Sequence, residues 1–261
     1  MTQNVLDKFR LDGKRAMITG SGRGLGREMA LALAQAGADI VLVGRGEDSL
    51  DKTSEDIEAL GRKVQAVRAD MTDAAQCAAA CEQALAAGPV DILINNVGGR
   101  LFNVSIEECS VEQWNDGVAI NLTHYFQTTK LIGTAMIARG RGGRIVNMGS
   151  ISGQIINRGV AGRHYETCKA AVQQFTRAVA VDWARHGITA NTICPGIFMT
   201  DANRRWEQID RTPIDNFVAN VPLGRPGEPE EIGPLAIYLA SPASSYVTGA
   251  SFVIDGGYTV W

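Results

Sequence analysis

The strongest constraint on the fold is a repeated alternation of short apolar runs with longer helical stretches. The runs fall at residues 15–18, 39–43, 64–69, 91–94, 144–148, 188–193 and 252–254. As a set they show no polar residue at every second position, which is the pattern of strands covered on both faces. Between them, residues 24–35, 47–60, 73–87, 111–138 and 165 to about 186 read as helices. In the first of these, Leu25, Met29, Leu33 and Ala36 form one apolar stripe. Strand and helix in strict succession predict an α/β fold. The expected architecture is a doubly wound (Rossmann) parallel sheet of about seven strands, with helices on both faces and right-handed crossovers.

The 261 residues carry no internal repeat, low-complexity tract or linker, so residues 1–261 are expected to form a single domain. The exception to the regular pattern is the segment 198–231, which reads as irregular around one helical piece near Trp206. It holds Pro213, Pro222, Pro226 and Pro229. A stretch this long inside a compact domain is a lid or binding loop, or else a structural excursion; the lid is the preferred expectation.

Charge and composition exclude several classes. The net charge is −3, with acids and bases interspersed, so no basic patch points to nucleic acid or to an anionic membrane. Residues 1–10 have no apolar signal core, and no run approaches the roughly 18 apolar residues of a membrane helix. A soluble cytoplasmic protein is expected. The five cysteines show no metal-ligand spacing. Cys77 and Cys81 are four apart but lack further ligands, so buried reduced thiols and no metal are expected.

The chemistry-bearing residues gather where the apolar runs end. Gly20, Ser21, Arg23, Gly24, Leu25 and Gly26 join the first run to the first helix. Glycines at such a turn let the backbone approach a pyrophosphate at the helix N-terminus. The second run ends Val43-Gly44-Arg45, with no acid to accept from ribose hydroxyls. Arg45, with Arg23 as a second candidate, suits a 2′-phosphate, so NADP(H) is favoured over NAD(H); Glu47 and Asp48 nearby weigh against it. Asp70 and Met71 end the third run, with Asp70 placed to accept from an adenine amino group. Asn95, Asn96, Val97 and Gly98 end the fourth, where ligands sit in open α/β sheets. Taken alone, these also read as turn residues.

Tyr165 and Lys169 are four apart on a helix, so they share a face. An ammonium beside a phenol stabilises the phenolate and is expected to lower the tyrosine from about 10. Such a phenol donates and accepts protons near neutral pH. Ser150 follows the fifth run directly.

Taken together and in order, these pieces resemble the short-chain dehydrogenase/reductase superfamily over essentially the whole chain. The matching residues are 19–26, Asn95 to Gly98, Asn121, Ser150, Tyr165 with Lys169, Pro195-Gly196 with Thr200, and Asp255-Gly256-Gly257. The resemblance implies roles. Tyr165 is the general acid in carbonyl reduction and the base in alcohol oxidation. Lys169 lowers its pKa and binds the nicotinamide ribose. Ser150 binds the substrate oxygen, and Asn121 holds a water that links Lys169 to solvent. Pro195, Gly196, Ile197 and Thr200 flank the nicotinamide. The fifteen residues from Ser150 to Tyr165 resemble the polyol and sugar-acid branch. Ser152 would restore the shorter interval commoner in the family.

Gln154, Arg163 and Trp206 are candidate substrate residues, with Arg100, Arg158, His164, Arg204 and Arg205 nearby. Several arginines suit an anionic substrate such as a sugar acid; the alternative is that they pair with local acids. The expected activity is NADP(H)-linked interconversion of a ketone and a secondary alcohol of sugar-acid or polyol type. A 3-oxoacyl-carrier-protein reductase is the alternative enzyme, and a non-catalytic nucleotide-binding scaffold the alternative class. The resemblance also implies a homotetramer, with the apolar end from Tyr258 to Trp261 against a neighbour.

Overall fold

A computed structural model describes residues 4–261; the first three residues and the side chain of Trp206 lie outside what it describes. The elements follow the expected alternation. β1 (Arg15–Thr19), α1 (Gly24–Gln35), β2 (Asp39–Gly44), α2 (Glu47–Ala59) and β3 (Val64–Arg68) build the first half-sheet. Then come α3 (Ala74–Ala86), β4 (Ile92–Asn95), α4 (Val111–Val118), α5 (His124–Arg139) and β5 (Gly143–Met148). The chain continues through α6 (His164–Trp183), β6 (Ile188–Pro195), α7 (Asp201–Ile209), α8 (Thr212–Val218), α9 (Gly233–Ala240) and β7 (Ser251–Ile254).

The seven strands form one sheet in the order β3-β2-β1-β4-β5-β6-β7, with every pairing parallel. Neighbouring residues of one strand enter opposite cores. Ile40 and Leu42 pack with Met29, Leu33, Ile57 and Leu239, under α1, α2 and α9. Val41 and Val43 pack with Cys77, Cys81, Ile132 and Val179, under α3, α5 and α6. Two buried faces explain why the strands carry so few polar residues. Strand order reverses between β1 and β4, so the connections leaving these strands diverge and open a crevice at their carboxyl ends.

Two segments differ from expectation. The helical stretch expected over 111–138 is present without a gap but carries an unexpected π-helical turn, Ala119–Thr123, between α4 and α5, and this turn holds Asn121. Such a turn inserts one residue and rotates the side chains that follow. The segment 198–231 is mostly helical rather than irregular. Two of its prolines mark starts: Pro213 lies in the first turn of α8, and Pro229 begins the 3-10 turn Pro229–Ile232. The first turn of a helix has no use for the N–H that proline lacks. The base of the segment is pinned, since Met199 N donates to Gly227 O at 2.8 Å and Gly227 N to Ile197 O at 3.0 Å.

Among the described residues no helix is long and apolar enough to cross a membrane. All five cysteines are free thiols, and Cys77, Cys81, Cys168 and Cys194 are buried.

Candidate active site

A cleft of about 600 Å³ runs along the carboxyl ends of the strands, from the turn before α1 to the first residues of α7. At one end lie Gly20, Arg23, Gly24, Leu25 and Gly26, with Arg45, Asp70 and Met71 beyond them. At the other lie Ser150, Tyr165, Lys169, Pro195, Gly196 and Thr200, with Asn96 and Gly98 between the two groups.

The glycine turn is held from behind. The Asn96 amide donates to the carbonyls of Thr19 and Gly20, each at 3.1 Å. A β-carbon at Gly26 would stand 2.2 Å from Gly20 O, so no other residue lets α1 pack this closely under the turn. Arg23, which precedes α1, makes no side-chain cap, leaving the first backbone N–H groups of the helix facing the cleft. These features fit a dinucleotide: a close backbone turn, free N–H donors and an elongated crevice. Ser21 does not contribute its hydroxyl. It is fully buried, donates to Ile18 O at 2.9 Å and accepts from Val43 N at 3.0 Å, tying β1 to β2. Ile197 and Asn121 also lie off the cleft wall.

Arg45 lies at the outer lip, 69% exposed, 3.5 Å from the Asp70 carboxylate. Burial works to raise the Asp70 carboxyl. Hydrogen bonds from Thr72, with Arg45 beside it, outweigh that and hold it below the ordinary carboxylate range.

The other end is built of side chains. Asn121 is fully buried. Its amide donates to Gly99 O and Gly117 O, each at 3.0 Å, while Gly99 N donates to its carbonyl oxygen at 2.9 Å. The side chain therefore clasps the loop after β4 to α4. A β-carbon at Gly98 would stand 2.9 Å from Asn121 Oδ1 and 3.1 Å from Lys169 Nζ, so glycine is needed to leave the lysine uncovered.

Lys169 makes no hydrogen bond with the phenol of Tyr165. Its Nζ is 5.7 Å from the centre of that ring. It donates instead to Met148 O at 2.7 Å and to Tyr125 Oη at 3.1 Å. Burial lowers its pKa from 10.5 to about 8. Tyr165 departs from expectation in the same way. Burial raises its pKa above 10, while the nearby Ser150 hydroxyl and the Arg100 charge pull it down by less. Spacing along the helix shows the ammonium and not the desolvation of both partners.

Ser150 faces the cleft, whereas Ser152 is turned inward and its Oγ accepts from Asn157 Nδ2 at 2.8 Å. Two of the expected substrate side chains are engaged elsewhere, and that of Trp206 lies outside the described residues. Gln154 reaches Gln173 at 3.4 Å, and Arg163 donates to Glu166 at 3.0 Å, so neither lines the cleft. Arg100 pairs with Glu166 at 2.8 Å, and Arg204 with Glu228 at 2.6 Å. His164 is buried against Phe102, with ring centres 4.2 Å apart, and burial lowers its pKa.

Tyr125 and Glu166 do not stand out in the sequence. Tyr125 is fully buried beneath Lys169, and its hydroxyl donates to Met148 O at 2.9 Å. It stands four residues after Asn121, on the same helical face, which is the signal that could have found it.

The match of fold and site extends to sequence. The family described as Enoyl-(Acyl carrier protein) reductase matches residues 20–259. A galactitol 2-dehydrogenase (L-tagatose-forming) of Cereibacter sphaeroides is 41% identical over 254 residues, 97% of this chain and 98% of the relative. A gluconate 5-dehydrogenase of Gluconobacter oxydans is 38% identical, over 97% of this chain and 98% of the relative. The solved structure of a gluconate 5-dehydrogenase from Burkholderia cenocepacia, in complex with NADP and tartrate, superposes with a TM-score of 0.90 at 36% identity, covering 99% of this chain and all of that one. A parallel doubly wound sheet with a glycine turn and a Tyr-Lys helix at its switch point defines a class, the nicotinamide-dependent oxidoreductases. Within that class, the chain belongs to the short-chain dehydrogenase/reductase superfamily. It is therefore an NAD(P)-dependent enzyme acting on CH–OH groups rather than a non-catalytic scaffold.

Proposed function

We propose that this enzyme interconverts a polyol and its ketose with a preference for NADP(H), with sugar acids as second substrates. The observation that carries the reaction is that Ser150, Tyr165 and Lys169 line one end of a cleft that continues to the glycine turn. The bound nicotinamide supplies or accepts the hydride. Everything else falls to this chain. Gly20, Gly24, Leu25 and Gly26 hold the pyrophosphate. Arg45 and Arg23 meet the 2′-phosphate, while Asp70, Met71, Asn96 and Gly98 line the path to the nicotinamide end. Pro195, Gly196, Ile197 and Thr200 flank that end. Ser150 holds the substrate oxygen beside the phenol. Tyr165 donates its proton to that oxygen during reduction and removes it during oxidation. Lys169 stands behind with its charge, and Asn121 keeps the loop open above it.

The tyrosine's raised pKa in the free chain suits the reductive direction, because a protonated donor is then present at neutral pH. The arginine pairs favour a neutral substrate over an anionic one. Arg100 and Arg163 are both bound by Glu166, and Arg204 by Glu228. The segment 198–231 is proposed to close over the substrate, since Thr200, Asp201 and Ala202 already form the cleft rim. A homotetramer and a cytoplasmic location complete the proposal.

The test is a substrate panel of galactitol, gluconate and 3-oxoacyl thioesters with either nicotinamide cofactor. Turnover of the polyol with NADP supports the proposal. Turnover confined to thioesters would assign the enzyme to carrier-protein reduction instead.

A further inference from the structure

Arg100 stands on the loop after β4, two residues beyond Gly98, and its side chain is only 19% exposed. Its guanidinium carbon lies 4.9 Å from the centre of the Tyr165 ring. The group is anchored on all sides. One terminal nitrogen donates to Glu166 Oε1 at 2.8 Å. The other donates to Glu166 Oε2 at 3.2 Å, to Gly162 O at 3.0 Å and to Ala161 O. Glu166 is itself 3% exposed and accepts a further bond from Arg163 at 3.0 Å. A two-toothed pair with a carboxylate fixes the plane of a guanidinium as well as its position. A cation anchored in this way cannot swing out to meet a ligand. Two arginines against one carboxylate leave one net positive charge beside the phenol.

Lys169 is the other cation near this ring, and the two differ in permanence. Its ammonium is desolvated down to about 8, so it loses its proton in the range where the enzyme is expected to work. A guanidinium keeps its charge throughout that range.

We propose that Arg100, clamped by Glu166, is a positioning residue that holds a permanent positive charge against Tyr165 and so sets the pH at which the phenol ionises. The proposal rests on Tyr165 being the proton donor and acceptor. It also accounts for the buried Glu166, which orients the cation and tempers its field. The groups facing the phenol are the Ser150 hydroxyl and Arg100, which favour the phenolate, and Glu166 and the Cys194 thiol, which oppose it. Lys169 flanks the ring, and the Tyr125 phenol lies beyond Lys169. His164 precedes Tyr165 on α6 and packs on Phe102.

Removing one charge of each sign gives opposite results, which general loosening of the site cannot do. The phenolate absorbance of each protein, less that of the same protein carrying Tyr165→Phe, follows Tyr165 alone and needs no turnover. Arg100→Gln raises the midpoint by about one unit, at the low end for a charge at this distance because Glu166 opposes it. Glu166→Gln lowers the midpoint, and Arg100→Lys returns it towards the parent value. The pH profile of kcat/KM for alcohol oxidation moves with it. At pH below the midpoint, Arg100→Gln loses about tenfold, and at the alkaline plateau it recovers. If Arg100→Gln does not fold, Glu166→Gln with its downward shift decides the matter. A midpoint that stays put in the folded variants, or a lowered plateau with an unmoved midpoint, overturns the proposal. Full turnover in Tyr165→Phe would instead overturn the functional assignment and leave the titration result standing.

Discussion

The two ends of the cleft are built on different principles. The end at the glycine turn is made of backbone and water-exposed charge: glycines, open N–H groups, and Arg45 at 69% exposure. The reacting end is made of side chains, with Lys169 and Glu166 each 3% exposed. Charges at the first end interact through solvent, where a pair is worth little and geometry carries recognition. Charges at the second end sit in a low dielectric, where burial alone moves a lysine down to about 8. On the proposed function, one end recognises and the other tunes acidity.

The contrast breaks first at Tyr165. Tyr165→Phe keeps the ring packing and removes only the proton, and kcat is expected to fall by about 10³-fold, within the usual range for general acid–base groups. Stopped-flow or steady-state NADPH oxidation measures it. A decrease below tenfold would mean that the proton travels by another route.

Next comes the burial of Lys169. The unfolded chain keeps the lysine proton up to about 10.5, while the folded chain releases it at about 8. Between these values the unfolded state binds more protons, so stability rises with pH across that window. The rise from this group is about 3 kcal/mol. Thermal unfolding of the parent and of Lys169→Met, compared from pH 7 to 11, shows the parent gaining on the variant. A constant difference would mean that the lysine is solvated.

A smaller effect sharpens the other end. Gly26→Ala places a methyl group into Gly20 O and is expected to cost about 2 kcal/mol of stability, with a matching loss of nucleotide affinity. Calorimetric unfolding and NADPH titration read both. The smallest is Arg45→Ala, which weakens NADPH binding by about tenfold and leaves NADH unchanged. Equal binding of both cofactors in parent and variant would remove Arg45 from phosphate recognition.

Much of the fold could be read beforehand, because parallel strands and amphipathic helices write their burial into local pattern. The expected helix over residues 24–35 is α1 residue for residue. Two segments mislead for local reasons. The helical pattern from 111 to 138 runs without a break, since one inserted residue at the π turn leaves both flanking stripes intact. In 198–231 the prolines look like breakers, although a proline in the first turn begins a helix as readily as it ends one. Many of the residues that line the cleft could be read from the sequence, and the effect of burial on their acidity could not. The arginines drew attention as possible anion ligands, yet Arg100 is bound to a carboxylate 66 positions away.

Sequence alone determined the succession of strands and helices, the place of the glycine turn and the presence of a tyrosine and a lysine on one helical face. Those follow from short-range geometry, which repeats every two or 3.6 residues. Only the tertiary structure decided that Lys169 bonds Tyr125 and Met148, that Arg100 meets Tyr165, and that the phenol is harder to ionise rather than easier. Acidity depends on how much water is excluded and on which distant charges arrive, and neither quantity is local in the chain.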